Sequence, residues 1–158
     1  MVKTAQPRTT AHEQFTIERT YDFPVAAVFA AWADGKAKNE WFGGPDGWKD
    51  EHRLDFRVGG REWQRTTSPD GAGQFTYNSE YHDIVPDERI VYSYTMDDKE
   101  RRISASLSTI EFKASGGKTK LVITEADVFF DDKVDGENRK GGTGMLLDSL
   151  DRYLKTKS

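Results

Sequence analysis

Three histidines and three carboxylates are the residues of this chain best suited to proton transfer. His12, His52 and His82 are scattered along it, without the spacing that sets two imidazoles on one helical face. Only if His52 and His82 met across a sheet would they offer a metal site or an acid–base pair. Asp50, Glu80 and Glu125 fall in strand-like stretches. Turned into a cavity, such a carboxylate can serve as general acid or base; turned outward, it is an ordinary sheet charge. Arg19 shares the phase of Phe15, Ile17 and Tyr21, so if buried it must meet a carboxylate of a neighbouring strand or the acid group of a ligand. A structural pair is the simpler expectation.

Glycine-rich stretches raise the question of phosphate. "RVGGREW" (57–63) lacks the Lys and Ser or Thr of a nucleotide-gripping loop, and "GGTGMLL" (141–147) has Leu147 where a dinucleotide fingerprint needs glycine. "LDFRVGGREW" (54–63) instead reads as a hairpin corner. In that reading Leu54, Phe56 and Val58 face the core, Gly59 and Gly60 supply positive φ, and Trp63 is aimed at a cavity. The acidic run "DDKVDGEN" (131–138) places Asp131, Asp135 and Gly136 at three calcium-loop positions, but Lys133 and Gly142 occupy two others, which removes the bidentate acid. A chain with no cysteine and no Gly-x-Ser-x-Gly elbow has neither a thiolate nor a serine nucleophile of the familiar kinds. No metal or cofactor is expected.

The elements that must position these groups are legible from periodicity. "QFTIERTYDF" (14–23) alternates as a half-buried strand, and Pro24 then opens a short helix with Val25, Val28, Phe29 and Trp32 on its apolar side. Residues 34–48 hold about two further helical turns before Gly43, Gly44 and Pro45. From Trp48 to Asp127 the pattern is strand and turn, broken at 68–73, 85–89, 96–100 and 114–118. "RIVYSYTM" puts Ile90, Tyr92, Tyr94 and Met96 on one face; Tyr81 and Ile84 fall on opposite phases, which suggests a bulge between them. A last helix over 144–155 carries Leu146, Leu147, Leu150, Tyr153 and Leu154 as a stripe.

Strand and helix segregate along the chain, so the expected class is α+β: a curved antiparallel sheet of about seven strands wrapped around a long C-terminal helix. The domain spans 13–158 and a flexible tail 1–12. At 158 residues one core suffices. A net charge of −4, from 23 basic and 27 acidic residues in mixed order, offers no basic footprint for nucleic acid. With no signal-like segment, no apolar run of ~18 residues and no cysteine, a cytoplasmic protein without a membrane span is expected.

The order of elements and five local motifs, "RTYDFPVAAVFAAW" (19–32), "WFGGPDGW" (41–48), "DFRVGGREW" (55–63), "EYHDIVPDERIVYSY" (80–94) and "GMLLDSLDRYL" (144–154), resemble one family. It is the family related to the activator of the ninety-kilodalton heat-shock chaperone's ATPase, within the START and birch-pollen-allergen-like helix-grip superfamily. The resemblance implies a cavity between sheet and C-terminal helix for hydrophobic or amphipathic molecules; other members act as cyclases, dehydratases or co-chaperones. Two departures stand out. Gly144-Met145 replaces a Gly-Trp pair found in many relatives, and the chaperone activators carry a further N-terminal domain ahead of the part matched here.

Four Trp, six Tyr and nine Phe supply rings that can fill a core or line a hollow. The expected cavity residues are Trp32, Trp41, Phe56, Trp63, Tyr77, Tyr81, Tyr92, Tyr94, Met145 and Ser149, around a small hydrophobic or amphipathic ligand. A protein-interaction module, with a protein partner or a second copy of the chain, is the rival reading. Acid–base catalysis in the same cavity is the third and least favoured.

Overall fold

The computed structural model describes residues 8–131 and 136–157, so residues 132–135 of the calcium-like run, Lys133 and Asp135 among them, lie outside the described residues. Seven antiparallel strands, β1 (Thr10–Tyr21), β2 (Lys49–Leu54), β3 (Arg61–Thr67), β4 (Gln74–Val85), β5 (Arg89–Asp98), β6 (Arg101–Ser115) and β7 (Lys118–Phe130), form one sheet in the order β1-β7-β6-β5-β4-β3-β2. Each strand from β2 to β7 pairs with its neighbour in sequence, and β1 closes against β7. Two short helices, α1 (Val25–Ala33) and α2 (Gly35–Trp41), follow β1, and α3 (Gly136–Thr156) ends the chain. This is the α+β helix-grip arrangement, a curved sheet holding a C-terminal helix.

The boundaries follow local chemistry. Pro24 caps α1 in extended conformation, and the Asp34 side chain accepts the Lys36 N–H at the start of α2. The register of β4 against β5 shifts between Tyr81 and Asp83, which lets Tyr81 and Ile84 both align with β5 residues of the inner face, Tyr92 and Ile90. β1 starts at Thr10, so residues 10–12 belong to the sheet and not to a tail.

Three expectations need correction. The last helix begins at Gly136, eight residues before the stripe that announced it, and runs through Gly141, Gly142 and Gly144. Glycine disfavours helix by about 1 kcal/mol each, and the contacts of Arg139 described below offset that cost. At the β2–β3 corner only Gly59 has positive φ, at 83°. Gly60 is required for a different reason: a Cβ there would collide with the Asp55 carbonyl and lie 2.9 Å from that of Arg57. The corner also bonds to β4, through Gly59 N–H to Tyr81 O at 2.8 Å and Tyr81 N–H to Gly60 O at 3.0 Å. Val58, expected inside, is 57% exposed at the tip.

Candidate functional site

Cross-strand register divides the inner face of the sheet into two chemical halves. Ile17, Ile123, Ile110, Ile90 and Ile84 form one continuous row across β1, β7, β6, β5 and β4. Leu121 and Phe112 lie beyond it, and Leu147, Leu150 and Leu154 of α3 join the same core. On the other side of that row the residues change character. The next row reads Phe15, Glu125, Ser108, Tyr92 and Tyr81; the following one contains Asp127, Ser106, Tyr94, Ser79 and Glu62; the last contains Phe129, Ser104, Met96, Tyr77, Gln64 and His52. Helix α3 spans both halves. Tyr21 Oη donates to Leu147 O at 2.9 Å over the apolar half, while the first turns of α3 cover the polar half.

Arg139 is the contribution of α3 to that half. Its guanidinium donates to Tyr94 Oη (3.1 Å), Ser106 Oγ (3.3 Å) and Ser104 Oγ (2.8 Å), lies 3.8 Å from Asp127 Oδ1, and covers the Tyr94 and Phe129 rings. Behind it, Ser108 and Tyr94 donate to the two oxygens of Glu125, at 2.6 and 2.7 Å, and Ser106 donates to Asp127. Burial, reinforced by the adjacent Asp127, pushes the Glu125 carboxyl up to about 8, while the Ser108 and Tyr94 hydroxyls oppose the rise. That rise favours the protonated form of Glu125 at neutral pH.

A second cluster joins α2 to β3. Ala37, Lys38 and Trp41 are the buried face of α2, and Lys38 Nζ lies 2.6 Å from Glu62 Oε1, with Tyr81 Oη 3.0 Å from the same oxygen and His52 Nε2 2.7 Å from Oε2. Rings of Phe42, Trp32, Tyr92 and Tyr81 surround the ammonium, Phe42 closest at 4.5 Å. Burial lowers the Lys38 pKa against the opposing pull of Glu62. The Glu62 carboxyl would be raised by the same burial, but Lys38 and His52 hold it below its ordinary value. Each of the two is the other's principal partner in a site that burial makes costly for either charge alone.

Between the clusters the rings touch. Phe42–Tyr77 centroids are 5.2 Å apart, Tyr77–Tyr94 4.9 Å and Tyr81–Phe56 5.1 Å. Burial raises the phenols of Tyr77, Tyr81, Tyr92 and Tyr94 well above their ordinary value. Among the described residues, three buried polar atoms on the polar half make no hydrogen bond of ordinary geometry: Tyr77 Oη and Ser79 Oγ, which lie near each other, and Asp127 Oδ2, whose carboxylate lies beside Glu125. Leaving each unmet costs about 1–3 kcal/mol.

Of the expected cavity residues, Tyr77, Tyr81, Tyr92 and Tyr94 lie together on the inner face, and half-buried Phe56 packs on Tyr81. Trp32 and Trp41 are buried edge-to-face against one another at 4.9 Å in the helix layer, Trp41 donating to Ala31 O. Trp63 stands on the opposite side of the sheet, between Arg53 and Arg65. Its neighbours Glu62 and Gln64 take the inward positions, so the corner does not aim it at the interior. Met145 is 71% exposed and Ser149 is half-buried on α3.

Among the polar candidates, Glu125 faces inward, whereas Glu80 pairs with Arg61 on the outside and Asp50 accepts the Gly44 N–H and the Thr66 hydroxyl. His52 and His82 do not converge: His52 meets Glu62 inside, and exposed His82 meets Ser93. Arg19 pairs with Asp148 of α3 at 3.4 Å, not with a neighbouring strand. Lys38, Glu62, Asp127, Arg139 and Ser104, Ser106 and Ser108 of β6 were not anticipated. The one sequence signal for them is the alternation in "ISASLST" (103–109), which reads equally well with Leu107 or the serines inward; Leu107 proves 50% exposed.

Two surface openings lie elsewhere. A shallow groove of about 520 Å³ runs over the outer face of β1, β7 and β6, by Gln14, Leu107, Ala126 and Val128; another of about 190 Å³ separates the helices near Phe23, Ala30 and Tyr153. The first also touches Ser106 and Asp127 at the margin of the polar half, and neither is lined by the isoleucine row. Among the described residues, no three histidines or carboxylates group as metal ligands, and no helix is long and apolar enough to cross a membrane.

A family model described as Activator of Hsp90 ATPase homolog 1-like protein matches residues 22–155. A solved structure of an uncharacterized protein from Rhizobium leguminosarum superposes with a TM-score of 0.91 at 41% identity, over 96% of this chain and 99% of that one. The Mll3558 protein of Rhizobium loti gives 0.85, also at 41% identity, over 92% and 99%. An AHSA1-like protein from Aeromonas hydrophila shares the fold at 22% identity, with a TM-score of 0.70 over 92% and 94%. No curated protein matches the chain.

Proposed function

The chain belongs to the family of Activator of Hsp90 ATPase homolog 1-like proteins, and from that premise we propose that it binds a small amphipathic molecule between the inner face of the sheet and α3. The observation that carries this reading is the division of that face: an isoleucine row and the α3 leucines on one side, unmatched Tyr77 and Ser79 hydroxyls and the Asp127 oxygen on the other. An apolar body laid along the first and a polar end on the second would satisfy both. Because the Tyr77 and Tyr94 rings touch, the occupant enters by parting them.

Titration calorimetry with a series of straight-chain alcohols tests this. Burial contributes about 0.8 kcal/mol per methylene, so each added carbon should tighten binding about fourfold until the apolar half is filled. A series with no dependence on chain length would contradict burial of the tail.

One observation favours a second reading. Glu125, protonated at neutral pH beside Asp127, is placed to deliver a proton to a bound molecule. In that reading the same site is catalytic, and Glu125→Gln would abolish turnover while leaving binding in place.

A further inference from the structure

The charges inside the polar half are matched within the protein. Lys38 and Glu62 stand 2.6 Å apart and are both enclosed, with side-chain exposures of 1% and 0%. Arg139 has Asp127 at 3.8 Å, and that carboxylate is fully buried. Glu125 accepts two hydroxyl bonds and lies beside Asp127 on the same strand face, where two negative charges would repel. Three hydroxyls accept from the guanidinium, and its charge is matched by the nearby Asp127 carboxylate. Among the described residues, two hydroxyls, each able to donate and accept, and one carboxylate oxygen able only to accept are left without a well-formed hydrogen bond.

We propose that the polar end of the ligand is uncharged and carries a hydroxyl, or a group of the same donor–acceptor character, which donates to Asp127 Oδ2 or to the Tyr77–Ser79 pair. This rests on the binding reading above and narrows it to neutral amphiphiles such as alcohols and phenols. A carboxylate would have to displace Asp127 from Arg139 and leave one anion uncompensated in a site closed to water. An ammonium would face Asp127 with Arg139 and Lys38 already present. Either charge is costly to bury without a partner of its own.

Three probes with one tail separate the cases: 1-decanol, decanoate and decylammonium, titrated at pH 7 with binding followed by calorimetry. Decanol is expected to bind at least about tenfold more tightly than either ion. Decanoate binding as tightly as decanol would overturn the proposal in favour of an anion site on Arg139. Decylammonium doing so would overturn it in favour of a cation site on Asp127. If none of the three binds, the binding reading itself fails and this inference with it.

Asp127→Asn supplies a reversal test: with Arg139 left uncompensated, decanoate should overtake decanol. A folded Asp127→Asn protein that keeps the wild-type order contradicts the charge argument. Glu125→Gln, neutral as the protonated glutamate is, should retain that order, and a preference for decanoate in it would also count against the proposal. The wild-type comparison stands whether or not the variants fold.

Discussion

Arg139 of α3 reaches within 3.8 Å of Asp127 on β7, and this pairing ties a glycine-rich first half of the helix to the polar half of the sheet. Leu147, Leu150 and Leu154 hold the second half mainly by burial, with Tyr21 Oη on Leu147 O and Arg19 beside Asp148 as its polar contacts. The two ends of α3 are therefore anchored by different forces, and they should respond separately to substitution.

Arg139→Ala removes the polar anchor and leaves Asp127 buried without its cation. Hydrogen exchange at amides 140–144 should accelerate by at least about tenfold, equivalent to 1.4 kcal/mol of local stability. Amides 148–154 should keep their protection. Uniform acceleration along α3 would show that the helix opens as one unit and that Arg139 is no separate anchor.

Glu125 gives stability a definite pH dependence. Its folded pKa of about 8 exceeds the ordinary 4.5, so between those values the folded chain binds more protons at this group than the unfolded chain does. Stability must then fall as pH rises through the window. Glu125→Gln removes that titration. The variant should gain on the order of 3 kcal/mol relative to wild type between pH 5 and pH 8 in urea melts; parallel curves for the two proteins would refute the buried, protonated state.

The Lys38–Glu62 pair should show the asymmetry of buried ions. Lys38→Met strands the carboxylate with His52 and Tyr81 alone, and should cost about 3–5 kcal/mol. Lys38→Met combined with Glu62→Leu removes both charges, and should recover most of that loss in chemical denaturation. A double variant as unstable as the single one would mean that the cost lies in packing and not in the stranded charge.

At the β2–β3 corner, Gly60→Ala puts a methyl group against the Asp55 carbonyl, whereas Gly59→Ala meets open space and suffers only from positive φ. Gly60→Ala should therefore be the more damaging, by at least about 1 kcal/mol. Equal losses at the two positions would place the requirement in conformation alone.

The seven strands, the bulge after Tyr81 and the α3 leucine stripe were legible because each has a period that burial enforces. Much of the site was not, for a physical reason that shows in β6 and β7. There the alternations Ser104-Ala105-Ser106-Leu107-Ser108 and Glu125-Ala126-Asp127-Val128 allow either set of residues inward, and the structure turns the polar ones in and leaves Leu107 half in solvent. That arrangement is stable only because Arg139, Tyr94 and the serines satisfy one another across α3, β5 and β6. Such a match between distant segments has no local signature. Trp63 shows the same blindness in reverse: its ring suggested an interior wall, but Glu62 and Gln64 beside it have inward partners and Trp63 does not.

The six tyrosines report directly on where a ligand goes. Fluorine NMR of protein labelled with 3-fluorotyrosine, assigned by single Tyr→Phe substitutions and titrated with 1-decanol, reads them one by one. Tyr77 and Tyr94 flank the unmet hydroxyls and must part to admit an occupant, whereas Tyr153 lines the groove between the helices. Binding between sheet and α3 requires the Tyr77 and Tyr94 resonances to shift and saturate together while Tyr153 stays fixed. A shift confined to Tyr153, or no shift at concentrations where calorimetry records binding, would contradict an interior site.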